Sequence, residues 1–573
     1  MLFDIEINNQ PVSAKRGETI KNVLDRIGIN VPTLCYLNGF TPTGGCRMCV
    51  VEVDGATELV PSCSHPVTEW MKIRTHSPRV LKARKVLVEL LLASHHDDCL
   101  YCDRNGMCGL QNLAAEMDIR ERKYHGKRQH IQVDRACQSI VRDPAKCVLC
   151  GRCIRVCDEV MGVSAIDVIG RGCDSKIGTT YNKGLNINTC VKCGQCIMVC
   201  PTGALSEKSQ LQSVLEALNN PEVYPVIQFS PAVPASVGED LNIKASKDIL
   251  NLLRAALKKM GFRQVFDLSM AADLTIMEEA AEFVERMKNR DKLPMLTSCC
   301  PSWVKFLETG YPDMLPKLSG CASPQQMMGR LIKNNITSAA GQKAENIFVV
   351  SVMPCTAKKY EADTDRMKDG TTRMVDAVIT TRELIKLIRM LGIDFSSLEP
   401  EAGATHFGIR SSAGNLFGIS GGHLEGLLRS ISFLMSGQEL SSLKISELRG
   451  LKGRKEARIK IGKVIFNVAA VSGLANARVL MEEIKTGRDD FSIIEVMACP
   501  NGCINGGGQK LNSDEKNIRS RMKAIYDVDE EEIIRVAHKN PAIVDLYERF
   551  LAKPGSDRSK ELLYVNRTKT AAE

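Results

Sequence analysis

The segment CVLCGRCIRVC, which carries Cys147, Cys150, Cys153 and Cys157, returns as CVKCGQCIMVCP, with Cys190, Cys193, Cys196 and Cys200. This duplicated C-x2-C-x2-C-x3-C run constrains the chain more than any other feature, because eight positions do not fall into that register by accident. In such pairs the fourth cysteine of each run ligates the cluster of the other run. Two 4Fe-4S centres follow, one from Cys147, Cys150 and Cys153 with Cys200, the other from Cys190, Cys193 and Cys196 with Cys157.

Two further thiol groups stand upstream. Cys35, Cys46, Cys49 and Cys63 are spaced C-x10-C-x2-C-x13-C, and Gly44 and Gly45 let the loop wrap closely around a ligand. Four thiolates so spaced suit one 2Fe-2S cluster, whereas structural zinc commonly uses two short CxxC-type pairs and only one is present. The stretch HHDDCLYCDRNGMC supplies Cys99, Cys102 and Cys108, one ligand short of a four-iron cluster. Imidazole replaces thiolate in known iron-sulfur centres, and both His95 and His96 stand next to the group.

With 23 cysteines in 573 residues the chain has room for several domains, and bunched thiols favour metal over disulfides in a reducing compartment. The start, MLFDIEINNQ, lacks a basic segment followed by an apolar one, and there is no uninterrupted apolar run of about 18 residues. A cytoplasmic location away from the membrane is expected. The formal charge of +9 omits the negative charge of thiolate ligands. The densest basic run, KGRKEARIK, reads as a solvated strand and turn, because no aromatic interleaving or recognition motif accompanies it, so nucleic acid is set aside.

The first 30 residues read as a hairpin turning at Asn8 and Asn9, then a helix from Thr19 to Ile27 stopped by Gly28. From Leu211 onward, helices alternate with short apolar strands in an α/β pattern. VIQFSP, PMLTSCC, NIFVVSVMPC, DAVITT and FSIIEVMACP are the strand candidates. Three of them end in cysteine, which predicts Cys300, Cys355 and Cys499 at the carboxyl ends of a sheet, where such folds place ligands. Cys503 of CPNGC makes a fourth. Cys299 and Cys300 are adjacent, and neighbouring side chains of an extended segment point to opposite faces, so one of them needs another task. Clusters leading to one buried thiol site form an electron wire ending at a catalyst. Glu279, Glu282 and Arg286 share one helix face distinct from Met277, Ala280, Ala281 and Val284, which by itself describes an ordinary solvated face with a Glu282–Arg286 ion pair.

TSCCPSW, MPCTAKK and EVMACPNGCINGGGQ resemble the three signature segments of the iron-only (FeFe) hydrogenases, and the resemblance covers almost the whole chain. The three upstream modules resemble the N-terminal part of the large peripheral subunit of respiratory NADH dehydrogenase, whose centre held by one histidine and three cysteines favours His95. The resemblance implies a multidomain α+β and α/β protein: a plant-type ferredoxin-like 2Fe-2S domain (1–78), a histidine- and cysteine-ligated 4Fe-4S module (79–125), a bacterial-type two-cluster ferredoxin domain (126–209) and a large α/β catalytic domain (210–573).

By the same resemblance Cys300, Cys355, Cys499 and Cys503 hold the H-cluster, a 4Fe-4S cubane joined through Cys503 to a two-iron unit with CO, cyanide and a bridging dithiolate. The implied reaction is the reversible conversion of two protons and two electrons to H2. One 2Fe-2S and three accessory 4Fe-4S clusters feed it. Lys358 is expected to donate to a cyanide, whereas Lys359 reads as a surface lysine. Pro231, Ser323, Pro324, Gln325, Met353 and Met497 match pocket positions of the family. Cys299, pointing away from the ligand Cys300, is expected to pass protons to the open iron site, with Glu279, Ser319, Glu282 and Arg286 continuing the path to the surface. Three departures stand out: Ser230 where alanine is usual, Ala322 where lysine is common, and GGHLEGLLR (Gly421 to Arg429) in place of GGVMEAALR. Cys137, Cys173 and Cys321 fit no cluster and read as small buried or loop thiols.

An assembly or sensory relative of the family is the competing class, and the complete third motif together with Cys299 argues against it. An electron-entry subunit of an NADH dehydrogenase accounts for the first 200 or so residues and leaves the C-terminal thiols unexplained. Ferredoxin, or flavin-bearing NAD(P)H-oxidising subunits, are the expected electron partners, with maturation proteins supplying the two-iron unit. MGVSAIDVIGRG resembles subunits of NAD(P)-linked hydrogenases. No GxGxxG followed by the expected acidic residue is present, so pyridine nucleotide would require a partner.

Overall fold

Asn8 and Asn9 both adopt positive φ, 48° and 66°. That is the pair of conformations a two-residue hairpin turn with matching strand twist requires, and asparagine tolerates it better than most residues. The turn joins strands Leu2–Ile7 and Gln10–Lys15 in antiparallel register. Helix Ile20–Arg26 follows, with the Thr19 side chain accepting the Asn22 amide at its start. The computed structural model describes residues 2–96, 98–126, 132–241, 243, 248–341, 343–369, 372–401 and 408–565.

The chain divides into two units: Met1–Glu159, Ser164–Asn188 and Val199–Ser206 form the first, and Val160–Val163, Thr189–Met198 and Glu207–Glu573 the second. In the first unit the hairpin joins a five-stranded sheet, with Lys72–Arg74 beside Leu2–Ile7, then Val50–Val53 and Val60–Pro61. Ile5, Ile7, Ile20, Val23 and Leu24 pack there with Cys49 and Cys63, so two of the thiols belong to the same small core. Helix Pro78–Ser94 begins with proline after a Ser77 cap and stops immediately before His95. Helix Gly109–Glu116 begins directly after Cys108.

The second unit contains two four-stranded sheets rather than the one sheet expected. In the first, Gln264–Asp267, Tyr224–Phe229, Ile347–Met353 and Ala377–Thr380 run parallel in that order. These strands are mostly apolar and largely buried, as strands covered on both faces must be. In the second, Met295–Leu296 and Val464–Ser472 lie parallel to Phe491–Met497 on either side, and Arg454–Ile461 closes the edge antiparallel to Val464–Ser472. Cys355 therefore follows a strand of one sheet, and Cys299, Cys300 and Cys499 follow strands of the other. A strand's end looks the same whichever sheet it joins, because pairing partners are chosen at long range.

Helix Ser269–Asn289 packs against helix Gly422–Ser436, with Ala280 and Phe283 meeting Leu424, Leu427, Leu428 and Ile431. KGRKEARIK contributes the edge strand Arg454–Ile461, whose buried and exposed residues largely alternate. No helix among the described residues is long and apolar enough to cross a membrane.

Candidate active site

Each of four thiols leaves a regular element just before it reaches a common cavity. Cys300 caps helix Pro301–Gly310, Cys355 and Cys499 follow strands Ile347–Met353 and Phe491–Met497, and Cys503 opens the turn Cys503–Asn505. All four line one cavity of about 80 Å³, together with Pro231, Pro324, Gln325, Met353 and Met497. Burial, and then the proximity of Cys355, Cys300 and Cys503, push the Cys499 thiol well above its ordinary pKa. Burial with Cys300 beside it raises Cys355 to about 12. Thiolates so crowded need a cation to be stable, and soft anionic donors around a shared space are the donor set of an iron-sulfur cluster. The residues present therefore fit the H-cluster.

The glycines of the third motif bring backbone against this site. A side-chain carbon at Gly506 would stand 2.0 Å from the Pro354 carbonyl oxygen, and one at Gly502, where φ is +93°, would stand 2.7 Å from the Ser420 nitrogen.

Lys358 lines the cavity and is buried. Its Nζ donates to the Cys299 carbonyl at 3.1 Å and to the Glu361 carboxylate at 2.8 Å. Burial opposes the charge, but Glu361 outweighs it and holds the ammonium above the ordinary lysine value. The same carboxylate accepts from Ser323 at 2.9 Å and Gln325 at 3.3 Å. Glu361 thus ties three expected pocket residues together, and it was not among the candidates. Its one signal in the sequence is its position three residues after Lys358 on a helix. Lys359 is not a surface residue: it is 2% exposed, donates to the Val378 carbonyl at 2.6 Å and pairs with Glu383 at 2.8 Å. The helix Ala357–Asp363 packs beside strand Ala377–Thr380, so both lysines of the doublet face protein.

Ser230 borders the cavity and is 8% exposed. Ala322 is buried, its amide bonded to the Leu563 carbonyl at 2.8 Å. Cys137 and Cys321 are buried and Cys173 is exposed.

Cys299 and Cys300 both border the cavity, so their divergence is smaller than that of an ideal extended pair. The Cys299 sulfur lies 3.8 Å from Nδ1 of His423. On the other side of that ring, Nε2 lies 2.8 Å from a carboxylate oxygen of Glu279, and both side chains are fully buried. Glu282 belongs to a second group: it accepts from Arg286 at 2.6 Å and from Ser319 at 2.9 Å. Arg286 also donates to the carbonyls of Lys317 and Leu318, both at 2.8 Å, so it is anchored in protein rather than lying on a solvated face. Among the described residues neither the Glu279 oxygens nor Nε2 of His423 has a hydrogen-bond partner, so their 2.8 Å approach is close but not aligned as a hydrogen bond. The expected path therefore falls into two clusters, Cys299 with Glu279 across His423, and Ser319 with Glu282 and Arg286.

In the first unit the Cys35 thiol is within hydrogen-bonding reach of Cys46 and Cys63, and Cys63 of Cys49. The Cys108 thiol interacts with Cys102 and Cys99. Among the described residues Nδ1 of His95 is buried without a hydrogen-bond partner, as a ligating nitrogen would be before metal is counted. Cys200 comes beside Cys147 and Cys150, the crossed pattern of a two-cluster ferredoxin. In the second unit the Cys193 thiol neighbours Cys196, Cys190 and Cys499, and Gln195 donates to the Asn505 carbonyl at 2.9 Å.

Residues 223–507 match the family described as the C-terminal domain of the iron-only hydrogenase large subunit, and residues 515–566 match the iron hydrogenase small subunit. Upstream, residues 2–78 match a 2Fe-2S iron-sulfur cluster binding domain, 84–123 the iron-sulfur binding region of NADH-ubiquinone oxidoreductase G, and 137–206 the ferredoxin-like domain of NADH-quinone oxidoreductase subunit 3. The chain is 41% identical to NADP-reducing hydrogenase subunit HndD of Solidesulfovibrio fructosivorans, over 99% of this chain and 98% of the relative. It is 38% identical to iron hydrogenase 1 of Clostridium pasteurianum, over 98% of this chain and 99% of the relative. Among solved structures, an apo [FeFe]-hydrogenase HydA1 variant from Chlamydomonas reinhardtii superposes with a TM-score of 0.56 at 34% identity, covering 62% of this chain and 98% of that one.

Proposed function

Because the chain belongs to the iron-only hydrogenases, enzymes that interconvert H2 with two protons and two electrons through an iron-sulfur relay, we propose the following division of labour among its residues. Cys300, Cys355, Cys499 and Cys503 hold the H-cluster, which when bound supplies the redox centre and the open metal position for H2. Lys358, charged through Glu361, is a fixed donor for a cyanide of the two-iron unit, and Ser323 and Gln325 steady that carboxylate. Pro231, Pro324, Met353 and Met497 shape the cavity and exclude water. Cys299 moves protons at its sulfur, and Glu279, Ser319, Glu282 and Arg286 extend the route outward. The single observation carrying the reading is that four thiols distant in sequence meet at one cavity bordered by both Cys299 and Lys358.

Electron supply follows from the upstream ligands: one 2Fe-2S cluster on Cys35, Cys46, Cys49 and Cys63, and one 4Fe-4S cluster on His95, Cys99, Cys102 and Cys108. Two more 4Fe-4S clusters belong to the duplicated run, and the place of Cys157 beside Cys190, Cys193 and Cys196 rests on spacing alone. The domains are those of residues 1–78, 79–125, 126–209 and 210–573. A relative named as an NADP-reducing hydrogenase subunit, alike along its whole length, supports a flavin-bearing NAD(P)H-oxidising partner, with ferredoxin as the alternative donor. The density of free thiols supports a cytoplasmic location. Infrared spectra of anaerobically matured protein test the reading: CO and cyanide stretching bands that change under H2 are expected, and their absence in matured protein would leave only a chain of ordinary clusters.

A further inference from the structure

His423 stands in GGHLEGLLR, where the hydrogenase pattern more usually has GGVMEAALR. It is the second residue of helix Gly422–Ser436, and its side chain is fully buried. The start of that helix is fixed from below by Glu495, which accepts the amides of Gly421 at 2.7 Å and Leu424 at 2.8 Å. The imidazole lies against Phe417, ring centroids 4.0 Å apart and planes inclined by 31°. It is held with one nitrogen 3.8 Å from the Cys299 sulfur and the other 2.8 Å from the Glu279 carboxylate. A valine there would have no group able to exchange a proton with either neighbour.

We propose that His423 carries the proton between Glu279 and Cys299, so that the inner half of the relay in this chain runs through an imidazole. The inference rests on the relay reading of Cys299 and Glu279 given above. In the direction of H2 formation, after the Cys299 sulfur has handed its own proton on and a small rotation has aligned the 2.8 Å pair, a proton passes from the Glu279 carboxyl to Nε2 and the proton on Nδ1 passes to the Cys299 sulfur. An O–H bond and an N–H bond break, an N–H bond and an S–H bond form, and no electron moves. The step leaves the ring as the Nε2–H tautomer, and the reverse step, in the direction of H2 uptake, restores the Nδ1–H tautomer.

The titratable and charged surroundings of the ring are few. Glu279 faces it from helix Ser269–Asn289, and Cys299, itself close to Lys358, faces it from the segment before helix Pro301–Gly310. On its own helix Glu425 is paired with Arg429 and Arg449, each at 2.6 Å, and Glu495 is occupied by helix-start amides. Cys321, beside Glu282, also interacts with Glu279.

The test uses the full matured chain with His423→Val and His423→Gln, beside Cys299→Ala and Glu279→Gln. Iron content and the infrared CO and cyanide bands first establish that each variant is loaded. Both His423 variants are expected to lower proton-limited H2 evolution by roughly a hundredfold, the lower end of the usual range for a positioned proton carrier. Independently of turnover, the CO bands of the wild-type chain are expected to shift with pH in a one-proton step, and that step is absent from both variants. Wild-type rate and an unchanged step in His423→Val, with Cys299→Ala and Glu279→Gln inactive, would make His423 a spacer and overturn the proposal while leaving the relay reading intact. Restoration by glutamine, which bonds but does not exchange protons, would also overturn it. Full activity in Cys299→Ala or Glu279→Gln would instead remove the relay reading itself.

Discussion

Cys299 and Glu361 show how differently two residues of one site present themselves in a sequence. Cys299 is conspicuous because a second thiol beside a ligand has no use in a single cluster. Glu361 is one carboxylate among 67 acidic residues, and only the fold brings Ser323, Gln325 and Lys358 to it. Cys299→Ala and Glu279→Ala are expected to keep the clusters and nearly abolish turnover, checked by infrared spectra beside H2-evolution rates; retained activity would remove the relay assignment. Glu361→Gln weakens the counter-charge of a buried ammonium. It is expected to preserve the 4Fe-4S signals, shift the cyanide bands and cut activity at least about tenfold, since charge-assisted bonds in a dry site weigh heavily. Cyanide bands unmoved from wild type would separate Glu361 from the positioning of Lys358. Cys503→Ser is expected to disturb the active-site metal itself, and unchanged CO and cyanide bands would refute its role as ligand.

At the scale of elements, the helices and strands followed from local patterns, but their partners did not. The hairpin at Asn8 and Asn9 and the helix after Thr19 are local events, visible in turn chemistry and capping. The division of five apolar strand candidates between two sheets is not local. Helix Gly422–Ser436 is held to helix Glu515–Glu531 by a buried group in which Asp529 binds Arg429 at 2.9 Å, Arg449 at 2.5 Å and Ser412 at 2.6 Å. Burial opposes the charge of Asp529, but the two guanidinium groups hold its carboxyl well below the ordinary value of 3.8. A depressed carboxyl contributes stability above its unfolded pKa and loses it as pH falls, so this contribution is full at neutral pH and fades below about pH 4. Asp529→Asn leaves Glu425 as the remaining carboxylate partner of Arg429 and Arg449 and is expected to cost about 1.5–3 kcal/mol at pH 7, with a smaller difference from wild type in strong acid. Denaturant midpoints measured at pH 7 and in acid check this, and equal midpoints at pH 7 would show the group to be neutral.

For the whole molecule, the electron partner is the open property with the most direct test. The chain purified alone is expected to evolve H2 from a reduced artificial donor and to leave NADP untouched, gaining that activity with flavin-bearing subunits that copurify with it. Full turnover with ferredoxin and no copurifying flavoprotein would favour the ferredoxin alternative. By itself the sequence determined which chemistry the protein carries, because thiol spacing within a loop is a local property: a C-x2-C-x2-C-x3-C run points to cluster ligation within a window of eleven residues. It also determined the order of modules and the α/β character of the catalytic part. The tertiary structure alone decided what surrounds that chemistry. Lys359 turned inward, Glu361 gathered the pocket, and His423 came to lie between Cys299 and Glu279 across 124 and 144 residues of chain. Such contacts depend on which strands pair and which helices pack, and those choices arise from the shape and burial of whole surfaces, which no short window of sequence contains.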